Sequence, residues 1–177
     1  MSEIPAAVIT GTLALTTGTV GTYLVQRYVE KQRENLSSKR EQLQYVFAPL
    51  EILLKMNKAE FERYFASSTS NEDREYIEIH VWYQNNTEIK RIIMEKSHLL
   101  LEIPHEFIRL LIHINVWLTE YDLIYNKRKR EPPVFAAPKG FGYPTEVDNY
   151  IYSKAKDLRK ELNERNESII IKPLRKA

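Results

Sequence analysis

The chain has 177 residues, enough for one domain plus an accessory segment but not for two full cores. Its 26 Lys and Arg against 24 Asp and Glu leave a net charge of +2, so no global case for a polyanionic partner exists. Cysteine is absent, which excludes thiol catalysis, disulfides and Cys-based zinc sites, and with only five glycines no phosphate loop or dinucleotide fingerprint can be drawn.

From Ile4 to Val25 no residue is charged. A helix of that length covers roughly 33 Å, about the thickness of a hydrocarbon core, so the segment is predicted to span a bilayer once. A cleaved leader would need a basic start and a small-residue cleavage site. This chain opens Met1-Ser2-Glu3 and leaves the segment through Tyr23-Leu24-Val25-Gln26-Arg27. Arg27, Lys31, Arg33, Lys39 and Arg40 on the C-terminal side outweigh Glu30 and Glu34, which predicts an N-terminus outside and a cytoplasmic C-terminal part. The expected division is a transmembrane anchor over residues 1–26 and a cytoplasmic helical domain over 27–177.

Six threonines (10, 12, 16, 17, 19 and 22) dilute the apolar character of the span and predict neighbours in the lipid. At 100° per residue Ala7, Gly11, Ala14, Gly18 and Gly21 fall in one stripe of small side chains, where a second helix backbone can approach closely. Thr12, Thr16, Thr19 and Tyr23 form a polar stripe and are the candidate pore-lining residues, while Leu13, Val20 and Leu24 form an apolar flank suited to lipid. Three environments around one helix predict a homo-oligomeric ring. The competing reading is that the threonine hydroxyls bond back to the i−4 carbonyls and line nothing.

Beyond the span, Leu36, Leu43 and Leu50 recur every seven residues with Val46, Phe47, Leu53 and Leu54 between them, which predicts a helix with one apolar seam, kinked or restarted at Pro49. Ser67-Ser68-Thr69-Ser70-Asn71 breaks it near Phe65. A second helix is expected from Glu72 or Asp73 to about Tyr83, and Asn85-Asn86-Thr87 is read as a reset, with Thr87 capping a third helix to Leu101. Pro104 suits the first turn of the next helix, in which Phe107, Leu111, Ile114, Leu118, Tyr121 and Tyr125 form one seam and Leu110, Trp117 and Ile124 a second. Apolar around most of its circumference, this helix is expected to be the one the others pack around. Lys127, Arg128, Lys129 and Arg130 close it as a basic patch suited to a helix C-terminus and able to meet RNA, a cyclic nucleotide or anionic lipid. A Pro- and aromatic-rich connection follows from Pro132 to Pro144, then a helix from about Thr145 to Asn163 and a tail whose Ile169-Ile170-Ile171 could pair as a short strand. The fold class read from this pattern is all-α.

Histidine supplies the candidate acid and base groups near neutral pH. Two of the four follow an arginine closely: Arg74 with His80, and Arg91 with His98. On one helix Arg91 and His98 share a face with Glu95 between them, whereas Arg74 and His80 point apart. His113, on the near-apolar helix, reads as a satisfied core group, and His105 as a capping or surface group. No metal-ligand spacing is present, so no metal or cofactor is expected.

The Arg91–His98 spacing resembles the R-x4-6-H motif of the HEPN superfamily of RNases, whose helical bundles dimerise to bring two such motifs onto one phosphodiester. That family places a polar residue after the arginine; here the apolar Ile92 follows Arg91, so the resemblance implies a degenerate motif and no enzyme activity. In size, threonine-rich N-terminal span, cytoplasmic helical bundle and divergent R-x6-H, the chain resembles the small membrane accessory proteins of type VI-B CRISPR systems. The resemblance implies a HEPN-like bundle and a ring, described as an octamer, in the bacterial inner membrane. It also implies a pore that assists an RNA-guided RNase by depolarising infected cells, with membrane lipid and that RNase or its RNA as partners and no small-molecule substrate. The alternatives are a membrane-anchored defence effector gated by a cyclic oligonucleotide, similar in plan to type III CRISPR membrane proteins, and a tethered RNase or adaptor without a pore.

Overall fold

In a computed structural model the backbone is described for residues 6–126 and 142–171, and the side chains for 22–122 and 142–165. Every described element is helical: α1 (Ala6–Gln42), α2 (Ala48–Tyr64), α3 (Asn71–Ile77), α4 (Tyr83–Lys96), α5 (His105–Asn126) and α6 (Glu146–Ile171). Two wider π turns, Leu43–Phe47 and Glu78–Trp82, join α1 to α2 and α3 to α4, and a 3₁₀ turn at Ser97–Leu99 ends α4. The chain divides into two compact units, Met1–Lys39 and Arg40–Ala177.

Pro49 accounts for the first π turn. A proline ring in a helix lacks a donor and clashes with the carbonyl four residues back, here Tyr45. Widening the turn by one residue relieves that clash, and the Ala48 N–H donates to the Leu43 carbonyl five positions earlier. The kink expected at Pro49 is thus a single wide turn, after which α2 starts with the proline in its first turn, where a missing donor costs nothing.

Within the second unit α2, α4, α5 and α6 form a closed ring of neighbours, each packed against the next, with α6 returning to α2. Successive helices run antiparallel. The Gln42 side-chain amide donates to the Leu99 carbonyl at 3.0 Å at one end of the α2–α4 pair, and the Tyr64 hydroxyl meets Glu78 at the other. Tyr83 of α4 lies 5.0 Å, ring to ring, from Tyr121 near the end of α5, while Phe107 and His113 of α5 face Tyr150 and Tyr143 in reverse order. Arg159 of α6 bonds Glu51 of α2 at 2.7 Å and the Lys55 ammonium stands 5.1 Å over the Tyr152 ring, which closes the four-helix bundle. The larger of two buried clusters is drawn from all four helices and includes Val46, Phe47, Leu50, Leu54, Ile89, Ile93, Phe107, Leu110, Ile114, Ile151 and Leu158.

Several expectations are corrected. No reset occurs at Asn85-Asn86-Thr87: the helix runs on through α4, and the Thr87 hydroxyl donates back to the Tyr83 carbonyl at 2.8 Å instead of capping a new start. The two asparagines do not compete with their own backbone because both side chains reach α2. Asn85 Nδ2 donates to Asn57 Oδ1 at 2.8 Å, and Asn57 Nδ2 donates to Asn86 Oδ1 at 3.1 Å. In α5 the buried line is Phe107, Leu110, Ile114 and Leu118, with Leu111 only half buried and Ile108 and Ile112 exposed. The helix is therefore one corner of the bundle and not its hub; the side chains of Ile124 and Tyr125 lie outside the described residues. The Ile169–Ile171 triplet continues α6 as helix and pairs with no strand.

The start at Pro104 follows the expected chemistry, whereas α3 begins at Asn71, within the expected breaker. Ser70 caps α3, its Oγ accepting the Asp73 N–H at 3.1 Å while its hydroxyl donates to Asp73 Oδ2 at 2.7 Å. Pro104 opens α5, its carbonyl accepting the Phe107 N–H at 3.0 Å.

Candidate functional site

Past the uncharged segment, α1 carries Tyr23, Leu24, Val25, Tyr28 and Val29, all exposed, with Leu24, Val25 and Tyr28 each above 60%. Five apolar or aromatic side chains on two turns of one helix leave in water area that a lipid interface or a neighbouring helix would cover. Arg27 folds back on this group: its Nε donates to the Tyr23 hydroxyl at 2.9 Å and its guanidinium stands 5.5 Å over the same ring. Of the two stripes read from the sequence, Tyr23 alone falls where side chains are described. Ala7, Gly11, Ala14, Gly18 and Gly21 of the packing stripe and Thr12, Thr16 and Thr19 of the polar stripe lie outside the described side chains, as does the basic patch Lys127, Arg128, Lys129 and Arg130. Among the described residues no helix is long and apolar enough to cross a membrane.

The Arg91–His98 pair is split by the end of α4. Arg91 is on the helix, and its guanidinium is saturated by carboxylates: Nε and Nη2 fork onto Glu88 at 2.7 and 2.6 Å, and Nη1 reaches Glu95 at 2.7 Å. The fork from Glu88, with Glu95 adding to it, pushes the Arg91 guanidinium well above its ordinary value and holds the Glu88 carboxyl below its own. His98 sits in the 3₁₀ turn after the helix, its Nδ1 2.7 Å from the Glu95 carbonyl oxygen. A carbonyl only accepts, so Nδ1 carries the proton and Nε2 faces outward. A guanidinium held by two carboxylates is a poor phosphate ligand, and this arrangement is a solvated ion network rather than an assembled acid–base pair.

The other histidines are dispersed. His80 is exposed, its ring tilted against Tyr76 with centroids 4.6 Å apart, while Arg74 turns the other way, its Nε donating to the Tyr64 carbonyl at 3.2 Å. His105 is exposed in the first turn of α5, and His113 is half buried with its ring edge-on to Tyr143 at 5.5 Å. Among the described residues no three His, Asp or Glu side chains are placed to hold a metal ion.

A different charged group is buried. Glu78, the first residue of the second π turn, is 7% exposed and accepts the Tyr64 hydroxyl at 2.8 Å. Ile77, Trp82 and Tyr64 enclose it, with Val81 and Trp117 packed on that cluster. Burial drives its carboxyl up to about 6, against the pull of the Tyr64 hydrogen bond and with Glu75 adding to the rise. Tyr64 is raised in turn by burial and by Glu78. The sequence hint for this site is a carboxylate set four residues before Trp82, on the stripe Glu78, Trp82, Asn85 and Ile89; its partner Tyr64, on another helix, leaves no local signal.

Compared with known proteins the chain stands apart: no family model, no curated protein and no solved structure matches it.

Proposed function

We propose that the chain is a single-pass protein of a bacterial inner membrane whose copies associate through the Ala7–Gly21 small-residue stripe into a pore. In this reading the pore is an antiviral defence accessory that depolarises the cell alongside an RNA-guided CRISPR RNase. The observation that carries the reading is the exposed belt Tyr23, Leu24, Val25, Tyr28 and Val29, with the Arg27–Tyr23 pair inside it, on a helix that continues unbroken from Ala6 to Gln42. Tyrosines at headgroup level with a cation folded onto one of them, followed by Lys31 and Arg33, are what an interface on the cytoplasmic side requires. A four-helix bundle with Arg91 tied up by carboxylates supports a HEPN-like scaffold without RNA cleavage. Threonine hydroxyls on the far side of the stripe supply the polar lining.

Dye release from proteoliposomes tests the pore directly, read together with protease protection of the N-terminus. The expected result is release by the wild-type chain and loss of release in Gly11→Leu and Gly18→Leu, whose added side chains hold neighbouring backbones apart. A water-soluble monomer that leaves vesicles intact with and without an RNase partner overturns the reading.

A further inference from the structure

The two π turns have different causes. Pro49 forces the first, but no proline lies between Pro49 and Pro104, so no ring clash forces Glu78–Trp82 to widen. Wide turns are rare inside helices, and one without a local cause is held by what its side chains touch. Here both ends are tied to α2. Glu78, whose carbonyl accepts the Tyr83 N–H across the wide turn, takes the Tyr64 hydroxyl on its carboxyl at 2.8 Å. Trp82, the last residue of the turn, donates its indole N–H to the Asn57 carbonyl at 3.3 Å.

Tyr64 also holds α3. Its carbonyl accepts Arg74 Nε at 3.2 Å and the Arg74 guanidinium stands 5.5 Å over its ring, while Ile77 is the one residue of α3 that is buried. One tyrosine at the end of α2 thus meets α3 through its carbonyl and ring, and the π turn through its hydroxyl. The groups facing the Glu78 carboxyl do not neutralise it. Tyr64 faces it from α2 as a neutral donor, Glu75 on α3 adds a like charge, and Trp117, packed on the same cluster from α5, brings none. Trp82 and Asn85, further along its own stripe, are neutral as well. Arg74 is committed to the Tyr64 carbonyl and ring, and His80, in the same π turn, is exposed with its ring against Tyr76. A neutral carboxyl rests in this enclosure, whereas an ionised one is a buried charge that returns to water only if the turn leaves α2.

We infer that Tyr64 and Glu78 form a proton-operated clasp, which holds α3 and the second π turn against the end of α2 while the carboxyl is protonated and lets them swing off when it ionises. The sign follows from the two affinities. The closed form binds the proton at about 6 and a solvated carboxyl at an ordinary 4.5, so raising pH through about 6 favours the open form by up to about thirtyfold. The larger core of the bundle stays packed, because the clasp belongs to the smaller cluster. It lies wholly within the second unit, so this assignment stands apart from the pore.

The chain has two tryptophans, Trp82 and Trp117, and both lie at this cluster, so acrylamide quenching of intrinsic fluorescence reads its opening in the full chain in zwitterionic detergent. The expected result is a quenching constant that rises by about twofold or more from pH 5 to pH 7.5, and that stays at the low value in Glu78→Gln, which keeps an acceptor for Tyr64 and cannot ionise. Histidines titrate in the same range, so a rise that persists in Glu78→Gln belongs to them and overturns the proposal. Hydrogen exchange of the wild-type chain, corrected for the chemical rate at each pH, needs no variant. Protection over 71–82 is expected to fall by about fivefold or more between the same two pH values while that over 107–118 is kept. Quenching of the wild type that does not change with pH, or an equal loss of protection in both segments, overturns the proposal.

Discussion

The Tyr64 hydroxyl donates to Glu78 Oε1 across 2.8 Å inside an aromatic cluster, and it is the one hydrogen bond described for a carboxylate that is 93% removed from water. Burial disfavours the charged form, and a single neutral donor offsets only part of that cost. The fold therefore binds the Glu78 proton more tightly than the unfolded chain does, at about 6 against an ordinary 4.5. With the folded value raised, the stability this group contributes is fully present below about pH 4.5 and is lost as pH rises through about 6. At neutral pH the ionised group costs on the order of 2 kcal/mol. Glu78→Gln keeps an acceptor for Tyr64 and removes the charge, so it is expected to raise the melting temperature at pH 7.5 by several degrees and to leave it unchanged near pH 4.5. Melting curves across pH 4 to 8 check this, and equal gains at both ends would sink the argument. Tyr64→Phe acts in the opposite sense: it strands the carboxylate, destabilises by about 1–3 kcal/mol, and moves the pH-dependent window upward.

Asn57 is the hinge of the contact between α2 and α4. Its Oδ1 accepts from Asn85, its Nδ2 donates to Asn86, and its backbone carbonyl accepts the Trp82 indole N–H at 3.3 Å. Asn85 is only 8% exposed, so removing its acceptor leaves a buried amide without a partner. Asn57→Ala is expected to destabilise by about 1–3 kcal/mol. Asn85→Ala alone should cost a similar amount and the pair much less than the sum, since the second truncation removes the stranded group. Urea denaturation of the four species measures the coupling; simple additivity would show that the two amides do not act as a unit.

The same amides show how far the sequence could be read. Helix positions were legible where the apolar period was strong, as in α5, and Pro104 announced its helix start; Ser70, read as part of a breaker, is the cap of α3, and α6 runs to Ile171, past the expected end at Asn163. Asn85-Asn86-Thr87 misled because local chemistry favours a break there, while the deciding partner, Asn57, lies 28 residues earlier and leaves no trace in the local pattern. In α5 the choice between Leu110 and Leu111 was likewise undetermined by spacing, because both satisfy a helical period and only the positions of α4 and α6 decide which is buried. Glu78 was hidden for the same reason, its significance being a tertiary contact. The Arg91–His98 spacing was visible, but the fork onto Glu88 and the end of α4 at Lys96 separate its members in a way that a count of residues does not show.

Tyr152 presents a smaller anomaly. Its hydroxyl is buried with no hydrogen-bond partner among the described residues, while Lys55 covers the ring face. A buried hydroxyl without a partner costs roughly 1–3 kcal/mol relative to one that is paired. Tyr152→Phe keeps the ring under the ammonium and removes the hydroxyl, so it is expected to leave stability unchanged or raise it by up to about 1 kcal/mol. A loss of more than about 1 kcal/mol in chemical denaturation would mean that the hydroxyl has a partner in solution.

Arg91 and His98 provide the sharpest separation between a surface network and a reaction centre. If the network reading holds, Arg91→Ala removes an exposed ion triad, whose contribution to stability is small and screened by salt, and moves the melting temperature by no more than about 2 °C. His98→Ala loses one hydrogen bond to the Glu95 carbonyl and is expected to do the same. Neither residue belongs to the uncharged segment Ile4–Val25, so dye release from proteoliposomes should stay at the wild-type level in both. The informative variant is Glu88→Gln with Glu95→Gln, which frees the guanidinium from its carboxylates. If Arg91 is merely sequestered, that double change creates phosphate affinity that the wild type lacks, seen as RNA retention at low salt that disappears again when Arg91→Ala is added. RNA cleavage by the wild-type chain that is abolished by both single alanine substitutions would instead identify the pair as catalytic, despite the geometry that holds its members apart.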